Sequence, residues 1–184
     1  MNYLSNATIY LIENLLGLIL YIVLIRFWMQ WVKANFRNPV GQFIITVTNP
    51  IVLPLRRLLP SFGSIDTATV VLAIALAIFK TFTLLAIAGY SIPVLKLITY
   101  SLGAVIESSI YIFMAAIFIQ IIASWVNPYS QHPILEIARS IAEPLMAPAR
   151  RLIPAIAGID FSPFLVFIFL NLSLQLIVAP LQNL

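Results

Sequence analysis

Chemistry in this chain can come only from its few charged residues, and these sit where charge is costly or where it is repeated. Lys80 lies deep inside an apolar run, residues 67–90. An ammonium at that depth in a bilayer costs about 2.5–3.5 kcal/mol on insertion scales. Such a residue is by default turned inward and paired or functional; snorkelling along its own stem is the alternative, although Lys80 is far from either end of its run. Glu13 and Glu107 are the acidic residues at comparable depth. At 1.5 Å per residue Lys80 stands roughly 20 Å along its helix from residue 67, and each glutamate roughly 27 Å from Trp31 or Trp125. A lysine side chain bridges that difference. The pattern predicts an intramembrane pair between Lys80 and Glu13 or Glu107, with a permeation or proton role for the same groups as the second reading.

The other charged feature is a phrase that occurs twice. Arg56 and Arg57 belong to PIVLPLRRLLPSFGSID, residues 50–66, and Arg150 and Arg151 to PLMAPARRLIPAIAGID, residues 144–160. Adjacent cations at a membrane face bind phosphate headgroups, at about 1 kcal/mol each. They also pair with carboxylates, and Asp66 and Asp160 follow at the turn into the next apolar run, where an acidic residue caps a helix N-terminus. A rigid basic surface for a partner protein is the third use. Prolines at identical spacing argue that geometry matters as well as charge. The expectation is an arginine–aspartate contact that locks the fold, with the exposed remainder docking anionic headgroups or another membrane protein.

Other chemistry is thin. Without cysteine there are no disulfides, thiolate metal sites or cysteine nucleophiles. The single histidine, His132 in NPYSQHP, builds no metal cluster and reads as a loop residue. Phosphate-cradling glycine loops, hydrolase elbows, zinc motifs and haem-attachment motifs are all missing. The reading is a non-enzyme with no metal, no cofactor and no nucleic-acid partner.

The elements that position these charges follow from hydropathy. The chain is 62% hydrophobic and 9% charged, with a mean hydropathy of +1.06. A soluble domain of this size cannot hide so much apolar surface. Crossing a core of ~30 Å takes about 20 apolar residues of helix. Spans are predicted at about 7–32, 67–90, 104–126 and 161–179. The first holds a glutamate and ends in RFWMQW, so it reads as a retained span and not a signal peptide. Segments 33–66 and 127–160 are too broken by proline to cross. In the first, Phe43, Val47 and Ile51 share a face, with Gln42, Thr46 and Asn49 off it. Each segment reads as a short amphipathic interfacial helix, opened by Pro39 or Pro133, then a proline-bounded turn carrying the arginines.

An offset of 94 residues superposes the two halves without a gap. It carries Pro50, Pro54, Arg56, Arg57, Pro60 and Asp66 onto Pro144, Pro148, Arg150, Arg151, Pro154 and Asp160, and also Glu13, Trp31 and Pro39 onto Glu107, Trp125 and Pro133. The chain is a duplication, residues 1–91 and 92–184, of a span–interfacial helix–span unit. Each unit crosses twice, so the copies are parallel. The match of Glu107 to Glu13 makes residues 92–103, ending at Gly103, a separate interfacial stretch before the third span. Leu174 stands opposite Lys80, so any site at Lys80 is asymmetric. Basic residues Lys33, Arg37, Arg56, Arg57, Arg139, Arg150 and Arg151 fall in the two long connections, against Lys96 alone on the other side. The positive-inside rule places the connections in the cytoplasm and both termini outside, and Trp28, Trp31 and Trp125 form a belt at the cytoplasmic ends. Ala73, Ala77 and Thr81 make a small-residue stripe for close helix packing.

Two copies of P-x-x-x-P-x-R-R-L-[LI]-P followed by ID, each after a span ending in tryptophan, resemble the YggT family of bacterial and plastid membrane proteins. GIDFSP at 158–163 fits the family pattern closely; the first copy departs from it with SIDTAT. The resemblance implies residence in the bacterial inner membrane. It also implies roles of the kinds linked to the family: assembly of a cytochrome with covalent haem, nucleoid and division-related organisation, and osmotic-stress tolerance involving potassium. It carries over no catalytic residue. A haem-handling role would need an axial ligand, and His132 has no histidine at the matching position of the first copy. The expected function is organisation or assembly of membrane components through the double-arginine segments, with lipids, other membrane proteins and further copies of the chain as candidate partners. An ion or osmolyte channel or transporter is the alternative.

Overall fold

The computed structural model describes residues 3–127, 129–154 and 160–183, and every regular element among them is helical. The expected stretches 155–159 of the second arginine phrase, with the first residues of GIDFSP, and residue 128 of NPYSQHP lie outside the described residues. The order is α1 (Tyr3–Trp31), α2 (Pro39–Leu58), α3 (Thr67–Ala88), α4 (Val94–Val126), α5 (Pro133–Leu152) and α6 (Ser162–Ser173). A π-helical segment (Leu174–Val178) then leads to α7 (Ala179–Asn183). Four helical stretches, Asn6–Trp31, Thr67–Ala88, Val94–Val126 and Ser162–Asn183, are long and apolar enough to cross a membrane. In hydrocarbon every backbone polar group must be satisfied within its own segment, which helices alone achieve for single spans. The architecture is an all-α, multi-pass membrane protein built from two parallel span–interfacial helix–span repeats. Large apolar side chains such as Phe79, Phe82, Phe118 and Phe169 stand exposed, as a bilayer solvent requires.

The centre is made by α1 against α3, with α4 beside both. Leu20, Val23 and Leu24 are buried, as are Ala73, Ala77 and Thr81, the small-residue stripe that lets the helices approach. Trp28 meets Phe113 of α4 edge-to-face at 4.7 Å between ring centres. That contact joins the repeats.

Each interfacial helix is capped in the same way. Asn38 accepts from the Gly41 N–H at 2.7 Å and precedes Pro39. Its twin is His132, whose Nδ1 accepts from the Ile134 N–H at 3.3 Å ahead of Pro133. His132 is a helix cap. The preceding span ends differently in the two copies. Lys33 takes a left-handed φ of 55° after α1, and Ala34 N–H reaches back to Met29 C=O at 2.8 Å, closing the helix as a glycine would.

Two expectations need correction. Residues 92–103 are not a separate stretch: α4 runs unbroken from Val94 to Val126, 33 residues and about 50 Å. Gly103 is not a break. A Cβ there would lie 3.0 Å from Gln182 Cγ and 3.4 Å from Leu181 Cβ, so this glycine permits the α4–α7 contact. Nor do the prolines divide the interfacial segments. Pro50 and Pro54 lie inside α2, and Pro144 and Pro148 inside α5. Each removes a helical N–H, and packing of the flanking residues carries the helix across the gap: Val52 and Ala142 are 0% exposed. The Phe43–Val47–Ile51 face is the exposed one, while Ile44, Thr48 and Val52 turn into the bundle. The last span also departs from regular helix. Pro180 has no N–H for the Leu176 carbonyl and crowds it, and the chain widens to a π turn just before it.

Candidate functional site

The charged residues gather at opposite ends of the bundle. At the end where α1 carries its tryptophans, the first arginine of each doublet meets an aspartate, half-buried at Arg56 and exposed at Arg150, and the second faces outward. Arg56 holds Asp66 with Nη2–Oδ2 at 2.6 Å and Nε 3.2 Å from both carboxylate oxygens. Its Nη2 also donates to Gln30 Oε1 at 2.7 Å. Asp66 is 0% exposed and accepts a hydrogen bond from the Thr69 hydroxyl. Asp66 stands at the N-cap position of α3, yet its side chain makes no cap bond; the carboxylate expected to cap is consumed by Arg56 and Thr69. Burial works against its charge, but the hydrogen bonds from Arg56 and Thr69, with the positive charges of Arg56 and Arg26, hold the carboxyl below its ordinary value.

Arg26 is the residue that sequence reasoning missed. It is 4% exposed, and its Nη1 donates to Thr48 Oγ1 at 2.5 Å and Asn49 Oδ1 at 2.9 Å. It therefore ties α1 to α2 beside the Arg56 lock. A signal was present: the same offset places Gln120 opposite it, a polar residue inside both spans. Gln120 has a related task, donating to Ala138 C=O of α5 at 3.1 Å.

The second copy is looser. Arg150 Nε lies 3.4 Å from Asp160 Oδ2, and its Nη1 is 3.0 Å from Glu143 Oε1. Asp160 accepts from the Ser162 N–H at 2.8 Å and the Ser162 hydroxyl at 2.5 Å, at the first turn of α6. Burial again opposes its charge, and the Ser162 hydrogen bonds with Arg150 overcome it, lowering its pKa. Arg57 and Arg151 are exposed and have no hydrogen-bond or ion-pair partner among the described residues. Asn35 and Asn38 both donate to the Glu136 carboxylate at 2.9 Å, fastening the first connection to α5. These bonds lower the Glu136 pKa.

At the opposite end, a cavity of about 530 Å³ is lined by Glu13, Lys80, Lys96, Tyr100, Glu107 and Gln182 among others. Sequence reasoning expected Lys80 to pair with one of the two glutamates, Glu13 or Glu107. The structure brings them to one cavity but forms no ion pair between Lys80 and either glutamate among the described residues. Lys80 reaches over Gly17, where an added Cβ would lie 3.8 Å from its Nζ. Glu107 is held instead by Gln182 Nε2 at 2.8 Å and by Tyr111 OH at 3.3 Å. No sequence signal pointed to Gln182, because the π turn re-aims everything after it. Among the described residues no group of three or more metal-ligating side chains is present.

Comparison with known proteins agrees with the repeat. The CCB3/YggT family model matches residues 5–87 and again 99–181, two ranges separated by the same 94 residues. An uncharacterized protein of Pseudomonas aeruginosa is 40% identical over 177 residues, covering 95% of this chain and 90% of its own. A Vibrio alginolyticus protein described only as lying in the proC 3' region is 36% identical, covering 96% and 97%. The uncharacterized protein YggT of Escherichia coli K12 is 33% identical, covering 90% and 86%. No solved structure matches. The chain belongs to the CCB3/YggT family.

Proposed function

We propose that this member of the CCB3/YggT family is a non-catalytic organiser of the bacterial inner membrane, helping other membrane components assemble on its duplicated double-arginine segments. The connections face the cytoplasm in this reading, because the basic residues and tryptophans collect there. One observation supports it above the rest. In each doublet one arginine meets an aspartate, tightly at Arg56 and loosely at Arg150, and its neighbour is exposed with no partner among the described residues, so a cation fixed to a helix end is presented twice. Fixed cations of this kind take anionic headgroups or carboxylates of another membrane protein. A photo-crosslinker placed beside Arg57 and beside Arg151 in living cells tests it. The expected result is capture of a defined membrane protein that disappears in the Arg57→Ala/Arg151→Ala double variant. Capture of lipid alone would sink the reading.

A second reading, an ion or osmolyte channel or transporter, draws support from the charged cavity. Against it, the neighbouring cavity of about 570 Å³ between the repeats is almost wholly apolar, lined by residues such as Leu24, Val105, Ile110, Phe113 and Leu170. Flux in liposomes that changes with Lys80→Leu would favour transport.

A further inference from the structure

The charged cavity plays no part in the organiser reading, and its chemistry specifies an occupant by itself. It holds two ammonium groups, Lys80 and Lys96, and two carboxylates, Glu13 and Glu107. A net charge near zero gives no preference for a simple anion or a simple cation. The opposite charges are nevertheless unpaired with one another among the described residues. Glu13 is exposed and Lys80, Lys96 and Glu107 are half-buried, so the separated charges stay open to a ligand that carries both signs. They are also held apart by the backbone: Glu13 is on α1, Lys80 on α3, and Lys96 and Glu107 lie eleven residues apart on α4, about 16 Å of helix rise.

We infer that the cavity binds a zwitterion carrying a phosphate and a primary ammonium, the chemistry of an ethanolamine phospholipid headgroup. Lysine ammonium groups suit phosphate as point charges. The glutamates need N–H donors, which a primary ammonium has and a quaternary one lacks. A quaternary ammonium calls for an aromatic cage, and Tyr100 is the only aromatic ring among the described lining residues. Depth agrees. The glutamates stand roughly 27 Å along their helices from the arginine end, close to the far boundary of a ~30 Å core, and Lys80 lies about 10 Å inside that boundary, so a headgroup in that leaflet and a solute in the adjoining water both reach the cavity mouth. The volume of about 530 Å³ falls in the range of small-ligand sites. The cavity also lies where the repeats meet, since Glu13 and Glu107 are twins. The match breaks at Lys80 and Leu174, where the second copy turns π-helical and brings Gln182 onto Glu107.

Native mass spectrometry of the purified full chain tests this, with palmitoyl-oleoyl phosphatidylethanolamine, phosphatidylglycerol and phosphatidylcholine offered in equal amounts and free phosphoethanolamine as competitor. The expected wild-type preference is about tenfold for the ethanolamine lipid, the worth of one charge-assisted hydrogen bond. Glu107→Gln should abolish the preference over phosphatidylglycerol, and Lys80→Met should weaken both phospholipids. Glu13→Gln provides an independent variant if either fails to fold, judged by helical circular dichroism. Displacement by phosphoethanolamine would assign the site to soluble zwitterions as well; lipid preference without displacement would assign it to the headgroup. Equal retention of the three lipids with no phosphoethanolamine binding would overturn the proposal. So would a preference that survives the variants.

Discussion

The twin positions Arg56 and Arg150 look equivalent in sequence, and the structure says they are not. In the first copy the carboxylate is 0% exposed and its arginine side chain 34%, with a closest approach of 2.6 Å. In the second the two side chains are 41% and 42% exposed and approach to 3.4 Å. Removing one partner of a buried pair strands the other charge and costs about 3–5 kcal/mol. Thr69 and Arg26 remain near Asp66, so Arg56→Ala belongs at the low end, about 3 kcal/mol. An exposed pair is worth about 0–1 kcal/mol, which is what Arg150→Ala should cost. The gap to be measured is therefore about 2–3 kcal/mol. Unfolding in mixed micelles by titration with SDS, followed by helical circular dichroism, reads it directly. A double-mutant cycle of Arg56→Ala with Asp66→Asn isolates the coupling from other losses. Equal costs at the two positions, or a larger one at Arg150, would refute the argument that burial and not sequence identity sets the strength of these locks.

The same carboxylates make stability pH-dependent. Asp66 and Asp160 both lie below the ordinary value of 3.8 when folded, so their contribution is complete above that pH and is lost as pH falls through the lowered folded value. Asp66→Asn should flatten the acid limb of a stability–pH curve measured in detergent, and an unchanged limb would contradict the assignment. Lys33→Gly should raise stability by about 0.5–1 kcal/mol, because Lys33 is exposed and occupies a left-handed conformation that glycine adopts freely; a loss would show that the lysine side chain contributes something else. Gly103→Val should cost about 1–3 kcal/mol by overpacking against α7, since even a Cβ meets Gln182 at 3.0 Å. A neutral result would mean that this contact yields easily.

How much of this was legible depended on how many structures a given pattern permits. The four crossings were plain, because a long apolar run has few alternatives to a membrane helix. The repeat was plain because its register never slips, so Arg56 and Asp66 could be set near one another from spacing alone. Gly103 was ambiguous: a glycine marks a break or a close approach, and only the partner helix decides which. The internal prolines misled for a related reason, since Val52 and its neighbours pack the helix across the interruption. The pair at Lys80 failed on distance. Helical rise puts Lys80 and the glutamates at similar depth but says nothing about the separation of their helices, and a cavity occupies the difference. Gln182 was beyond reach because the register after Leu174 is not that of an α-helix.

The duplication set the frame, and divergence at the arginine end then made its two halves unlike. Arg26, Gln30, Thr48 and Thr69 surround the first lock with polar partners, and the 94-residue offset replaces them with Gln120, Ser124, Ala142 and Pro163. Without that shell the second lock cannot be buried: an ion pair in an apolar interior needs its remaining hydrogen bonds satisfied, or desolvation outweighs attraction. Asp160 accordingly stays at the surface, leaning on Ser162, and Arg150 divides itself between Asp160 and Glu143. A partner arriving at the first copy finds only Arg57, because Arg56 is held in a buried network. At the second it finds Arg151 and an Arg150 whose present contacts are exposed and cheap to exchange. If the arginine segments dock another molecule, the second repeat is the half that can rearrange to do so, while the first keeps the scaffold still.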